Sequence, residues 1–222
     1  MLAAAEAGLG VGVVLLDLGH DTAGALLRRG ERAFAFVHGR QAVVRQRFTL
    51  AHELGHHVLG HGPALDTPRS IFAGDFDPVE AQANAFAAEL IAPAPAVRRV
   101  AAELGARPVT LELVVRAARE FGLSAQAARI RLERAGVLRD RALIARLDTE
   151  IAAGLHTSLA GLLGLRDRDD SLARAARHLP RLPEAAHGSA LEALLDGSAS
   201  GVEVARAVGR DAVAVARALR GL

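Results

Sequence analysis

With 222 residues, 51% of them hydrophobic, the chain can bury one core of ordinary size and a smaller second one. All 27 basic residues are arginine, and 25 acidic residues bring the formal net charge to only +2, so the high pI does not by itself point to nucleic acid. There is no cysteine, which excludes disulfides and thiolate ligands and leaves histidine and carboxylate for any metal site.

The opening MLAAAEAGLGVGVVLLDLG has no basic n-region, carries Glu6 and is interrupted by Asp17. It reads as a buried strand in preference to a signal peptide. No uncharged apolar run approaches the roughly 20 residues of a membrane span, so a cytoplasmic protein with no membrane partner is expected. Three strand-like segments come first: Val11 to Leu16, Ala23 to Arg28, and Arg32 to His38 with Phe34 and Phe36 on one face. The tight Gly30-Glu31 turn predicts an antiparallel hairpin.

From Val43 to Leu59 the apolar period becomes helical, through RQRFTLAHELGHHVLGH. The stretch from His61 to Asp77 holds several Gly and Pro breakers and reads as a loop. A second helix starts at Asp77-Pro78 and runs to about Ile91, ended by Pro93 and Pro95. Helices over 95–104, 109–121 and 124–135 follow, and beyond Gly136 comes a series of short Ala/Leu/Arg helices.

His52-Glu53-Leu54-Gly55-His56 has the HExxH spacing. At about 100° per residue the two histidines lie only about 40° apart around a helix, so both imidazoles can reach one ion. Glu53 lies beside them, placed to touch a water at the ion and to serve as general base. Two histidines and a glutamate within an apolar run (Phe48, Leu50, Leu54, Val58) are costly to bury unless a metal or hydrogen bonds satisfy them.

A catalytic zinc needs a third protein ligand and an open position. The HExxHxxGxxH solution is excluded, because Leu59 and Gly62 occupy the required Gly and His positions. His57 and His61 lie about 100° to 140° around the helix from His56 and are weak reserve ligands. Glu80 on the following helix suits the role, since Glu80, Ala83, Asn84, Ala87 and Ile91 share one face and the alanines permit close helix approach. Asn84, the only asparagine, is placed to hydrogen-bond a ligand, whereas Glu89 points to the opposite, solvated face. Glu80 has an equal claim as N3 of a capping box with Asp77 as N-cap and Pro78 at N1.

RQRFTLAHELGHHVLGH followed by EAQANAFAAELIAP resembles the ImmA/IrrE family of metallopeptidases, over roughly residues 9–138. The resemblance implies an α+β fold in which a small antiparallel three-stranded sheet packs on a zincin-like helical core. An all-helical C-terminal region would follow, giving a peptidase domain over 1–138 and a helical region over 139–222. It implies Zn2+ held by His52, His56 and Glu80, with Glu53 as catalytic base. It also implies a protein or peptide substrate, such as a helix-turn-helix transcriptional repressor, in stress-response or transcription-regulation circuits. No tyrosine is present to stabilise an oxyanion, so that role falls to an arginine, a backbone N–H or one of His38, His57 and His61.

Two other readings compete. Residues 110–135 have helix-turn-helix punctuation, with Gly122 closing one helix and Ser124 capping the next, and Arg129, Arg131 and Arg134 on the second helix. The simpler account is a helical pair packed on the core with those arginines as a solvated face, so direct nucleic-acid binding is not expected. Seven Phe with no Trp or Tyr also offer no stacking platform for single strands. The remaining reading is a non-proteolytic zinc-binding sensor, for which the same ligands would serve.

Overall fold

Val11–Leu16 forms β1, and all six of its residues are buried, as an unbroken apolar and β-branched run allows. The computed structural model describes residues 1–19, 21–29, 32–62, 64–68, 71, 77–105, 108–166, 171–178, 181 and 183. Gly24–Arg29 (β2) pairs antiparallel with Arg32–His38 (β3), from Gly24↔Val37 to Arg29↔Arg32, in the expected hairpin. Its turn residues lie outside the described set. Ala64–Asp66 (β4) pairs antiparallel with β2, and the sheet order is β1-β3-β2-β4.

The class is α+β as expected, but the sheet departs from an antiparallel three-stranded one in two ways. β1 lies beside β3 and runs parallel to it, from Val11↔Ala33 to Leu16↔His38, so the sheet is mixed. Alternation of apolar residues says which face is buried and nothing about which strand is the neighbour. The fourth strand, β4, falls within the stretch expected to be a loop, and three residues are too few to show a period.

One sheet face, with Val11, Val13, Leu15, Leu26, Ala35 and Val37, packs against Leu50 and Leu54 of α1 (Val43–Val58). The Gln46 side chain fixes the entry to this helix by donating to Gly39 O at 2.8 Å and Gln41 O at 2.7 Å. A π-helical turn at Ala4–Gly8 precedes β1, and its buried Glu6 accepts from Val13 N–H at 3.2 Å. Arg181 ion-pairs with Glu6 and forms an isolated antiparallel bridge with Leu15.

The chain divides into two units: one on Met1–Ala87 with the described residues beyond 170, the other on Ala88–Asp169. Pro78–Ile91 (α2) starts in the first and ends in the second. The second unit holds α3 (Ala94–Glu103), α4 (Leu111–Phe121), α5 (Ala125–Arg134), α6 (Arg141–Ala152) and α7 (Leu155–Leu162). Val97, Leu113, Val114, Leu132 and Leu147 are among its buried core. The expected punctuation is present: Gly122 is left-handed at φ 64°, and Ser124 Oγ accepts from Ala127 N–H at 3.1 Å.

The arginines of α5 are a correction. Arg129 and Arg131 are buried, and only Arg134 is exposed. Arg129 reaches Asp148 at 2.8 Å and Glu133 at 2.6 Å, while Arg131 pairs with Glu89 and donates to Ala92 O at 2.6 Å. Glu89 is exposed as expected, yet it holds an ion pair. Helical period alone cannot show that acidic partners from distant positions meet these guanidinium groups. Ser171–Ala175 (α8) completes the described helices. Residues 184–222, including GVEVARAVGRDAVAVARALRGL, lie outside the described set.

Candidate metal centre

The middle of α1 carries His52, Glu53 and His56 into the interior, each 0% exposed. One turn of helix separates the histidines, and their Nε2 atoms stand 2.9 Å apart. Glu80, in the first turn of α2, places Oε2 3.2 Å from His52 Nε2 and Oε1 3.4 Å from His56 Nε2. Small residues permit this approach. A Cβ at Gly55 would stand 3.1 Å from both the Cα and the carbonyl oxygen of Ala83. Asp77 caps α2 alone, its Oδ1 accepting from Val79 N–H at 2.8 Å, while the Glu80 carboxylate lies with the histidines.

A fourth donor comes from β4, which the sequence reading missed. Asp66 Oδ2 lies 3.6 Å from His52 Nε2 and 3.8 Å from His56 Nε2, and the residue is 1% exposed. Its place is set by the strand pairing, with Ala23 N–H donating to Asp66 O at 2.7 Å. One donor atom from each of His52, His56, Asp66 and Glu80 lies within 4.8 Å of all the others. Zinc bonds of about 2.0–2.1 Å would set tetrahedral ligands roughly 3.4 Å apart, which matches these separations.

The outer hydrogen bonds decide what the convergent atoms are. His52 Nδ1 lies 3.0 Å from Asn84 Oδ1, an acceptor, so Nδ1 carries the hydrogen and Nε2 is bare. His61 Nε2 donates to Gln82 Oε1 at 3.3 Å, leaving His61 Nδ1 to accept from His56 Nδ1 at 3.0 Å. That makes His56 Nε2 bare as well. Two nitrogen lone pairs and two carboxylates therefore face one another in a buried site, and Glu80 Oε2 has no hydrogen-bond donor. Only a cation or a proton can satisfy such a set. The residues fit a divalent metal.

With no ion, a proton does that work. Burial opposes a charge on His52, but the Asp66 and Glu80 carboxylates outweigh it and raise the ring to about 9. Burial and then the His52 charge hold His56 down to about 4. Metal uptake is thus expected to expel the His52 proton, since a ligand must be neutral. Affinity should climb about tenfold per pH unit up to pH about 9 and level off above it. A chelator-competition titration across that range checks this; a flat profile between neutral pH and 9 would contradict it.

Glu53 is not among the four donors. Burial, then the charges of Asp66 and Glu80, push its carboxyl well above the usual range. Its position explains a glycine in β2. A Cβ at Gly24 would collide with Glu53 Oε1 and the Thr49 methyl. Gly24→Ala should therefore displace Glu53, lowering turnover by about tenfold or more while leaving metal content unchanged. Wild-type kcat in that variant would show that Glu53 tolerates the shift.

The oxyanion candidates fall elsewhere. His61 serves His56 as an outer partner. His57 carries its backbone oxygen to Arg28 at 2.7 Å, and burial followed by the Arg28 charge lowers its ring. His38 accepts from Leu18 N–H at 3.2 Å and lies 3.8 Å from Asp17, at the far end of β3 from the hairpin.

Residues 7–133, more than half of the chain, match a peptidase family whose description is the IrrE N-terminal-like domain. The chain belongs to this family. The resemblance drawn from the AHELGH and EAQANAF segments is borne out, and the matched span contains all four donors and Glu53. Comparison with curated proteins gave no match. Family membership makes this a peptidase-type domain with a cluster able to hold a metal ion. No helix among the described residues is long and apolar enough to cross a membrane.

Proposed function

We propose that the chain is a zinc metallopeptidase in which His52, His56 and Glu80 hold the ion and Glu53 is the general base. The observation that carries this reading is the convergence of two bare imidazole nitrogens with Glu80 beside a wholly buried Glu53. Two histidines with carboxylate suit zinc in a site without thiolates. Zinc would supply a Lewis acid that acidifies water and polarises the scissile carbonyl. Asn84 orients the His52 ring and His61 the His56 ring. Glu53 takes the proton of the attacking water and returns it to the leaving amine.

Residues 1–138 form the peptidase domain in this reading, and the protein acts in the cytoplasm. The substrate is a protein or peptide, and a helix-turn-helix transcriptional repressor is the class that the family resemblance implies. Binding of DNA by the 110–135 pair has no supporting observation, since Arg129 and Arg131 are taken up by ion pairs. The test is hydrolysis of an unfolded protein substrate, such as casein, alongside candidate repressors. Activity should vanish on treatment with 1,10-phenanthroline and return on adding zinc. Cleavage that survives complete metal removal would refute the proposal.

A further inference from the structure

We infer that the segment from Ser171 to Arg181 is a strap that completes the unit carrying the metal centre, latched across the outer edge of β1 by the pair of Arg181 with Glu6. The strap does not depend on whether the centre cleaves peptides. Neither Glu6 nor Arg181 falls within residues 7–133, the span matched to the peptidase family, so the latch lies beyond the family domain.

β1 stands at one end of the sheet order β1-β3-β2-β4. An end strand presents N–H and C=O groups on its outer side, and where the strand is buried each of them needs a partner. All six residues of β1 are buried. At Val13 and Leu15 the four backbone polar groups are all met by Glu6 or Arg181. Val13 N–H donates to Glu6 Oε1 at 3.2 Å, and Val13 O accepts from Arg181 Nη1 at 2.6 Å. Leu15 exchanges both bonds with the Arg181 backbone, each N–H to O distance being 2.9 Å. The guanidinium closes the arrangement by pairing with both Glu6 oxygens, Nη2 lying 2.8 Å from Oε2. Such a two-point pair fixes geometry as well as charge, and losing one partner leaves the other buried without compensation.

The same segment bears on the metal helix. α8 packs against α1, and its fully buried Leu172 shares a core with Leu50 and Leu54, which stand on either side of His52 and Glu53 in the chain. Ala175 and Ala176 pack on that core as well. The chain thus leaves the first unit after Ala87, forms the helices of the second, and returns beyond Asp169 to finish the first. The metal-bearing unit is discontinuous. A chain ending at residue 138 lacks both the cover of β1 and the share of the core that Leu172 supplies.

A specific protease site inserted after Leu165 lets the full chain fold first and then be cut, so that only non-covalent contacts hold the strap. The cut wild type should stay whole in gel filtration, with the fragment beginning at Arg166 retained on the fragment ending at Leu165. Arg181→Ala should weaken that association by about tenfold or more, the consequence of removing one partner of a buried ion pair. Amide exchange at Val13 and Leu15 should quicken by about tenfold or more in the uncut Arg181→Ala protein, because the strand edge is opened. Glu6→Gln keeps an acceptor for Val13 N–H and should move both readouts the same way by less; it decides the matter if Arg181→Ala does not fold. Fragments of the cut wild type that part without denaturant would overturn the strap. So would fragment affinity and amide exchange that neither substitution alters.

Discussion

Glu53→Gln is expected to lower peptide hydrolysis by about 10²- to 10⁴-fold, the range a positioned general base supplies. Metal content should not change, because Glu53 is not one of the four convergent donors. The substitution is nearly isosteric, so the fit against Gly24 and Thr49 is kept. It also replaces a buried carboxyl by a neutral group; burial favours the neutral form in the metal-free protein, whereas the charge of a bound cation would return Glu53 to the carboxylate that a general base must be. Without metal, the melting temperature should therefore hold or rise slightly. An amide cannot take up the proton of the attacking water near neutral pH, so only chemistry is removed. Metal analysis, a melting curve and kcat together make the test: full activity at full metal content would remove Glu53 from the mechanism.

The parts of this centre differ in how visible they are in the sequence, and the difference has a physical basis. His52, Glu53 and His56 are legible because one helix fixes their relation, and helical period follows from local spacing alone. Asn84 is legible for the same reason, one turn beyond Glu80 on the face that meets α1. Glu80 is ambiguous because a carboxylate in the first turn suits both a capping box and a ligand; the interaction that separates the two roles is tertiary. Asp66 is invisible. It belongs to a strand of three residues, and its position comes from pairing with β2, some forty positions earlier in the chain. Gly24 reads as an ordinary strand glycine until Glu53 is seen to occupy the volume of its missing Cβ. The parallel pairing of β1 with β3 and the burial of Arg129 and Arg131 share that origin, since each depends on which distant segment lies alongside.

His52→Ala and His56→Ala are expected to abolish stoichiometric metal binding, and the stability that the ion confers should go with it. An ion that binds only the folded chain stabilises it by about 4 kcal/mol at a thousandfold excess over Kd. Wild type should then lose several degrees of melting temperature on chelation, while neither variant responds to chelator or to added zinc. Glu80→Gln is the more telling change. If Glu80 is a ligand, metal affinity falls by more than the roughly 10- to 100-fold that loss of an outer hydrogen-bond partner costs, with both histidines still in place. The fall stops short of complete loss because Asp66 still faces both imidazoles. If Glu80 only capped its helix, metal affinity would match wild type and only the apo protein would be weakened, by about 1 kcal/mol. Chelator-competition titrations of the metal and melting curves of the apo proteins distinguish these outcomes. The cap is already supplied by Asp77 Oδ1 on Val79 N–H, so the expected result is lost affinity with little change in apo stability.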